Sequence, residues 1–192
     1  MYITSLNRIA ILARQPEQIF HSQDLGRLWN INNPNTLNTL LKRYKQKGLL
    51  FRIYKGLYSL LLPDKLDPLL LGIKALHGYS YVSTETILIE EGLITQMDYQ
   101  YTFISNSSRN FQIGQRRFRS RKLQDKYLYN PAGIIEKNGI LMASPLRALA
   151  DLFYFNPNAY LDGSKMIDFK ELNKLEKAIG YPITKNHHAH SA

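Results

Sequence analysis

The chain has 192 residues, enough for one or two small domains with a core of ordinary size. Cysteine is absent, which excludes disulfides, thiol catalysis and cysteine-based zinc sites and fits a reducing cytoplasm. Lysine and arginine outnumber aspartate and glutamate by 25 to 15, and a net charge of +10 favours a polyanionic partner.

The surplus is unevenly placed. Residues 1–66 hold ten basic and three acidic side chains, residues 109–126 hold seven and one, and the remainder is net negative. No apolar run approaches the ~18 residues of a membrane span. The N-terminal residues lack the order of a signal peptide, so a cytoplasmic protein without a membrane partner is expected.

Helical spacing of Ile3, Leu6, Ile9, Ala10 and Ala13 predicts a first helix over Thr4–Arg14, closed by Pro16. A second is expected over Gln23–Trp29, with Ser22 as N-cap, Asp24 in the first turn, and Leu25 and Leu28 facing inward. Asn33 and Pro34 are a cap and a first helical residue, so a third helix is predicted over Pro34–Lys47 and stops at Gly48. The period then changes from helical to alternating. "LLFRIY" and "LYSLL" flank Lys55-Gly56 and read as a tight hairpin.

The third helix carries the strongest functional signal. Leu37, Leu40, Leu41 and Tyr44 form an apolar stripe that must pack inward. The opposite side presents Asn35, Asn38, Thr39, Lys42 and Gln46, flanked by Arg43 and Lys45, and the helix contains no acidic residue. Such a face suits a DNA major groove, where amides bond base edges, threonine meets a thymine methyl, and basic groups meet phosphates. The N-terminal part of a recognition helix enters deepest, so Asn35, Asn38 and Thr39 are candidate base readers. Lys42, Arg43, Lys45 and Gln46 are candidate backbone contacts, and Arg52 and Lys55 on the hairpin would serve as a wing. Residues 1–66 are therefore expected to form a winged helix-turn-helix.

Residues 67–182 read as a small mixed α+β domain, making the whole chain α+β. Asp67-Pro68 opens a helix of about 68–76, Thr84–Glu91 is a short helix, and Ser144-Pro145 and Asp168 cap two more, about 146–155 and 169–179. "QYTFISN", "NFQIGQRRFRSRKL" and "GIIEKNGILMAS" read as strands, the last with an Asn138-Gly139 turn. Residues 183–192 are expected to be a frayed polar tail.

In the basic strand, a period of two places Arg117, Arg119 and Arg121 on one face and Arg116, Phe118 and Ser120 on the other. Two readings stay open: a second contact to DNA or RNA, or a solvated edge strand that uses charge to block aggregation. In "SPLRALADLFYF", Leu146, Leu149, Leu152 and Phe153 have core spacing. Arg147 and Asp151 are i, i+4 neighbours and are expected to pair on the helix surface, the alternative being a pair that faces a partner.

The helices and hairpin, then "YVSTETILIEEGLI", "YTFISNSS", the basic strand and "MASPLRALADLFYF", resemble the AbiEi antitoxins of type IV toxin–antitoxin pairs over residues 4–156. The order "YVSTETIL…GLI" followed by "SPLRALADL" carries most of the resemblance. It implies an N-terminal winged helix that binds repeats in its own promoter and represses the operon. It also implies a C-terminal domain that opposes a nucleotidyltransferase-like toxin without requiring a stable complex.

Catalytic and metal chemistry are not expected. His187, His188 and His190 lie in the polar tail without a supporting ligand cluster, and His21 and His77 are isolated beside helix ends. "GIIEKNG" lacks the spacing of a metal-dependent nuclease, and neither a phosphate-cradling glycine loop nor a nucleophile elbow is present. No cofactor is called for.

Overall fold

A computed structural model describes residues 5–95, 99–163 and 167–184. It is an α+β structure that divides into two compact units between Ala75 and Leu76. The division falls just before the last residue of a helix expected to open the second domain at residue 67, so all of that helix but Leu76 groups with the first unit.

The first unit runs α1 (Ser5–Ala13), β1 (Ile19–His21), α2 (Ser22–Leu28), α3 (Pro34–Gln46), β2 (Phe51–Tyr54) and β3 (Leu57–Ser59). A single 3-10 turn, Pro63–Lys65, and α4 (Pro68–Leu76) complete it. The three strands form an antiparallel sheet in the order β1-β3-β2. Leu12, Phe20, Leu25, Trp29, Leu37, Leu41, Tyr44, Leu50 and Tyr58 share one core. Trp29 is fixed there by an edge-on contact with Tyr44 at 5.6 Å and by donating from Nε1 to the Arg8 carbonyl at 3.2 Å. Such pairs add ~0.5–1.5 kcal/mol beyond the area they bury.

The first helix forms as expected, and on it Leu12 is buried and Ile9 packs on the core, whereas Leu6 is 79% exposed and Ala10 and Ala13 are also exposed. Ile3 lies outside the described residues. The second helix is capped by His21 rather than Ser22, because Asp24 accepts from the His21 amide and the Ser22 amide is already bonded to the Gly56 carbonyl at 2.9 Å.

The second unit contains β4 (Ser80–Val82), α5 (Glu85–Glu90), β5 (Tyr101–Ser105), β6 (Arg109–Ile113) and β7 (Arg116–Lys122). It continues through α6 (Asp125–Leu128), β8 (Ile134–Lys137), β9 (Ile140–Ala143), α7 (Pro145–Phe155) and α8 (Phe169–Ile179). One mixed six-stranded sheet has the order β6-β7-β5-β4-β9-β8. The β5–β7 and β4–β9 pairs are parallel and the others antiparallel.

"NFQIGQRRFRSRKL" is therefore two strands, since Gly114 adopts a left-handed φ of 60° and folds β6 back onto β7. The Asn138-Gly139 turn forms as expected, with φ of 52° and 74°. Ser144 and Asp168 cap α7 and α8 through bonds to the Arg147 amide and to the Lys170 and Glu171 amides. The expected tail is shortened by one anchor. Thr184 donates from its amide to Glu176 at 2.8 Å, and its hydroxyl also bonds that carboxylate.

Candidate nucleic-acid interface

Helix α3 is held by what it buries. Asn33 accepts from the Asn35 and Thr36 amides at 2.9 and 3.2 Å, Pro34 occupies the first turn, and Leu37, Leu41 and Tyr44 are buried. That fixes the helix about its axis and leaves Asn35, Asn38, Thr39, Lys42, Arg43, Lys45 and Gln46 all exposed. Gly48, with φ of 66°, ends the turn after the last basic residues.

Close approach of α2 to α3 depends on Gly26. A Cβ there would lie 3.1 Å from the Ile31 carbonyl and 3.2 Å from a Leu37 methyl. Beside this contact is a cleft of about 590 Å³ lined by Gln23 and Arg27 of α2 and Asn38 of α3, among others. Gln23 and Arg27, exposed and one helical turn apart on α2, were not among the residues singled out from the sequence.

The hairpin is compact. Strands of four and three residues meet at Lys55-Gly56, and the Gly56 carbonyl accepts from Ser22 at the start of α2. Lys55 is therefore placed beside α2, while Arg52 is exposed on β2 opposite Tyr58. Both wing residues lie in the same unit as α3.

The arginine row of the second unit is divided. Arg121 bonds Glu85 of α5 and lies 5.3 Å from the Phe155 ring, and burial depresses its pKa while Glu85 opposes the shift. Arg117 is exposed and Arg119 partly so. Strand β7 lies between β6 and β5, which overturns its reading as an edge strand. The edge is β6.

The Arg147–Asp151 pair is not on the surface. Both side chains are 0% exposed, with Nε 3.0 Å from Oδ1. Arg147 spends its five N–H groups on Asp151, Tyr81 and the carbonyls of Asn130, Ala132 and Tyr127. The carboxylate also accepts from Tyr81, Ser83 and Tyr181 at 3.0, 2.7 and 2.7 Å. Burial and the Asp151 charge push both tyrosine hydroxyls well above their usual range. Every position on this pair is taken, so it presents nothing to a partner. "YVSTETIL" and "SPLRALADL" thus meet in one buried network. The first is also tied to β5, where the Thr86 amide donates to Thr102 Oγ1 and the Thr102 amide donates to Thr86 Oγ1.

Among the described residues no group of histidine and carboxylate side chains could hold a metal ion, and no helix is long and apolar enough to cross a membrane. His187, His188 and His190 lie outside the described residues. No protein-family model and no curated protein matches the sequence. In structure the chain is similar to the RV2827C protein from Mycobacterium tuberculosis, at 12% identity and a TM-score of 0.56, over 91% of this chain and 70% of that one, a likeness of fold.

Proposed function

We propose that the chain is a DNA-binding transcriptional repressor that also serves as the antitoxin of a type IV toxin–antitoxin pair. The observation that carries the DNA reading is the exposed face of α3, where three amides, a threonine and three basic groups stand together without a carboxylate. Solvated helices ordinarily mix both signs of charge, and an acid-free amide face is complementary to base edges and phosphates. The order of three helices followed by a short hairpin, with β1 completing the sheet, supports a winged helix-turn-helix. Its ligand would be double-stranded DNA carrying repeats in the chain's own operator.

The antitoxin part follows from the resemblance of "YVSTETIL" and "SPLRALADL" to the AbiEi family. The opposed protein would be a nucleotidyltransferase-like toxin, with no stable complex required. The chain acts here by binding and has no catalytic role or cofactor.

A gel-shift titration against DNA from upstream of the chain's own gene tests the reading. Sequence-selective binding that weakens steeply with salt is expected. Equal affinity for unrelated duplexes, or none for any duplex, removes the repressor and leaves an antitoxin that works through protein or RNA contacts alone.

A further inference from the structure

We infer that the cavity between the α1–β1 loop, α2 and α4 is an effector site for a small zwitterion of the α-amino-acid type with a large apolar side chain. Its occupation draws Arg27 away from the α3 face, a consequence that rests on the DNA reading above. The cavity measures about 390 Å³, and every residue lining it belongs to the first unit. Ligand pockets begin at ~300 Å³, so the space suits a small molecule. Ile19, Phe20 and Leu28 supply its apolar lining, and Glu17, Asp24, Arg27 and Lys74 bring two charges of each sign.

These charges are balanced and largely uncommitted. Among the described residues, neither the Glu17 carboxylate nor the Lys74 ammonium group has a hydrogen-bond or ion-pair partner. Arg27 stands 3.7 Å from Asp24, beyond hydrogen-bond reach, in a solvent-exposed pair of little worth. Asp24 is itself engaged at the head of α2, where it accepts from the His21 amide at 3.3 Å. A ligand ammonium group therefore has Glu17 to meet, and a carboxylate has Lys74 and the Arg27 fork. Other ligand classes fit less well. A phosphorylated or dicarboxylic metabolite would bring excess negative charge against Glu17 and Asp24. A wholly apolar one would strip water from charged groups without replacing the lost bonds.

Arg27 connects this cavity to the α3 face. It lines both the cavity and the α2–α3 cleft that Asn38 also lines. One guanidinium group cannot serve both sides at once, so a carboxylate held in the cavity removes Arg27 from the cleft. The move breaks little, because the side chain is 80% exposed and its tie to Asp24 is loose. The proposed DNA complex would then lose a cation beside Asn38, so the ligand acts as an inducer. DNA in turn weakens ligand binding by the same factor, since the coupling is reciprocal.

The test uses the full chain with L-leucine, L-phenylalanine and L-tryptophan as probes. N-acetyl-L-leucine and L-leucinamide, each lacking one of the two charges, are the controls. Calorimetric titration without DNA should show millimolar or tighter binding of at least one amino acid and none of either control at the same concentration. Glu17→Gln and Lys74→Gln should each weaken that binding about ten- to a hundred-fold, the worth of a charge-assisted bond, and Lys74→Arg should retain it. If Lys74→Gln melts early, the exposed Glu17→Gln decides. Anisotropy with the chain's upstream duplex should show DNA affinity reduced roughly fivefold or more by saturating ligand, and Arg27→Gln should abolish that response. Failure of all three amino acids to bind, binding unchanged by Glu17→Gln, or equal binding of the controls would overturn the site. Unchanged DNA affinity at saturating ligand would overturn the role of Arg27. If no duplex is bound while calorimetry gives the expected pattern, the site stands and the DNA reading falls.

Discussion

Arg147 and Asp151, one helical turn apart on α7, form a fully buried ion pair whose remaining donors and acceptors are satisfied by β4, by residues 127–132 and by Tyr181. Removing either partner leaves a charge in the interior. Arg147→Met or Asp151→Leu should therefore cost about 3–5 kcal/mol, far above the few tenths of a kcal/mol of a surface pair at this spacing. Urea unfolding of each variant measures the difference, and a loss below about 1 kcal/mol would mean the network contributes little.

The same network predicts alkaline sensitivity. Tyr81 and Tyr181 have hydroxyls raised above the ordinary value of 10.0 by burial and then by Asp151. A raised pKa favours the protonated folded state, so this stability is complete below about pH 10 and declines as pH rises further, when the unfolded chain releases protons that the fold retains. The decline should reach up to about 1.4 kcal/mol per pH unit for each hydroxyl. Urea midpoints collected from about pH 8 to 11 give the slope, and Tyr181→Phe should make it shallower.

Under the proposed DNA reading, the side chains of α3 divide by what they would meet. Lys42→Ala or Arg43→Ala should weaken all duplexes alike and reduce the salt slope by about 1. Asn38→Ala should cost about 1–3 kcal/mol on the preferred sequence alone. Anisotropy with matched and scrambled duplexes separates the two patterns. A uniform effect of Asn38→Ala would move that residue to the backbone.

Gly26 governs how closely α2 lies against α3. Gly26→Ala puts a methyl against the Ile31 carbonyl and the Leu37 side chain, and should destabilise the chain by about 1–3 kcal/mol. It should also weaken DNA binding more than its stability loss explains, because α3 would tilt. Thermal melts and anisotropy on the same samples test this, and an unchanged Kd would show that the helices adjust without disturbing the α3 face.

Legibility in the sequence followed locality. Helix α3 could be read to within a residue because its cap, first-turn proline, apolar stripe and closing glycine are consecutive in the chain. Strand β1 could not, because three residues gain their form only from pairing with β3 far along the sequence. Arg147 was misplaced for the same reason. Its spacing to Asp151 is local and suggests a surface pair, while the burial comes from Tyr81, 66 residues away. The basic strand was half legible: alternation assigned the faces, but its neighbours β5 and β6 were needed to move it off the edge. Leu6 shows the limit of periodicity, which marks an apolar stripe without saying which residues of it find a neighbour.

The bond from the Ser22 amide to the Gly56 carbonyl has a mechanical consequence. It fastens the hairpin turn to the head of α2, while β1 clamps the hairpin along its length through β3. The hairpin turn is thereby tied at two places, and Lys55 is carried at a set offset from the start of α2. In the proposed DNA complex such a hairpin would act as a gauge of phosphate spacing. A duplex that departs from that spacing would have to bend to comply, and the energy of that deformation would enter the choice of site at base pairs no side chain touches.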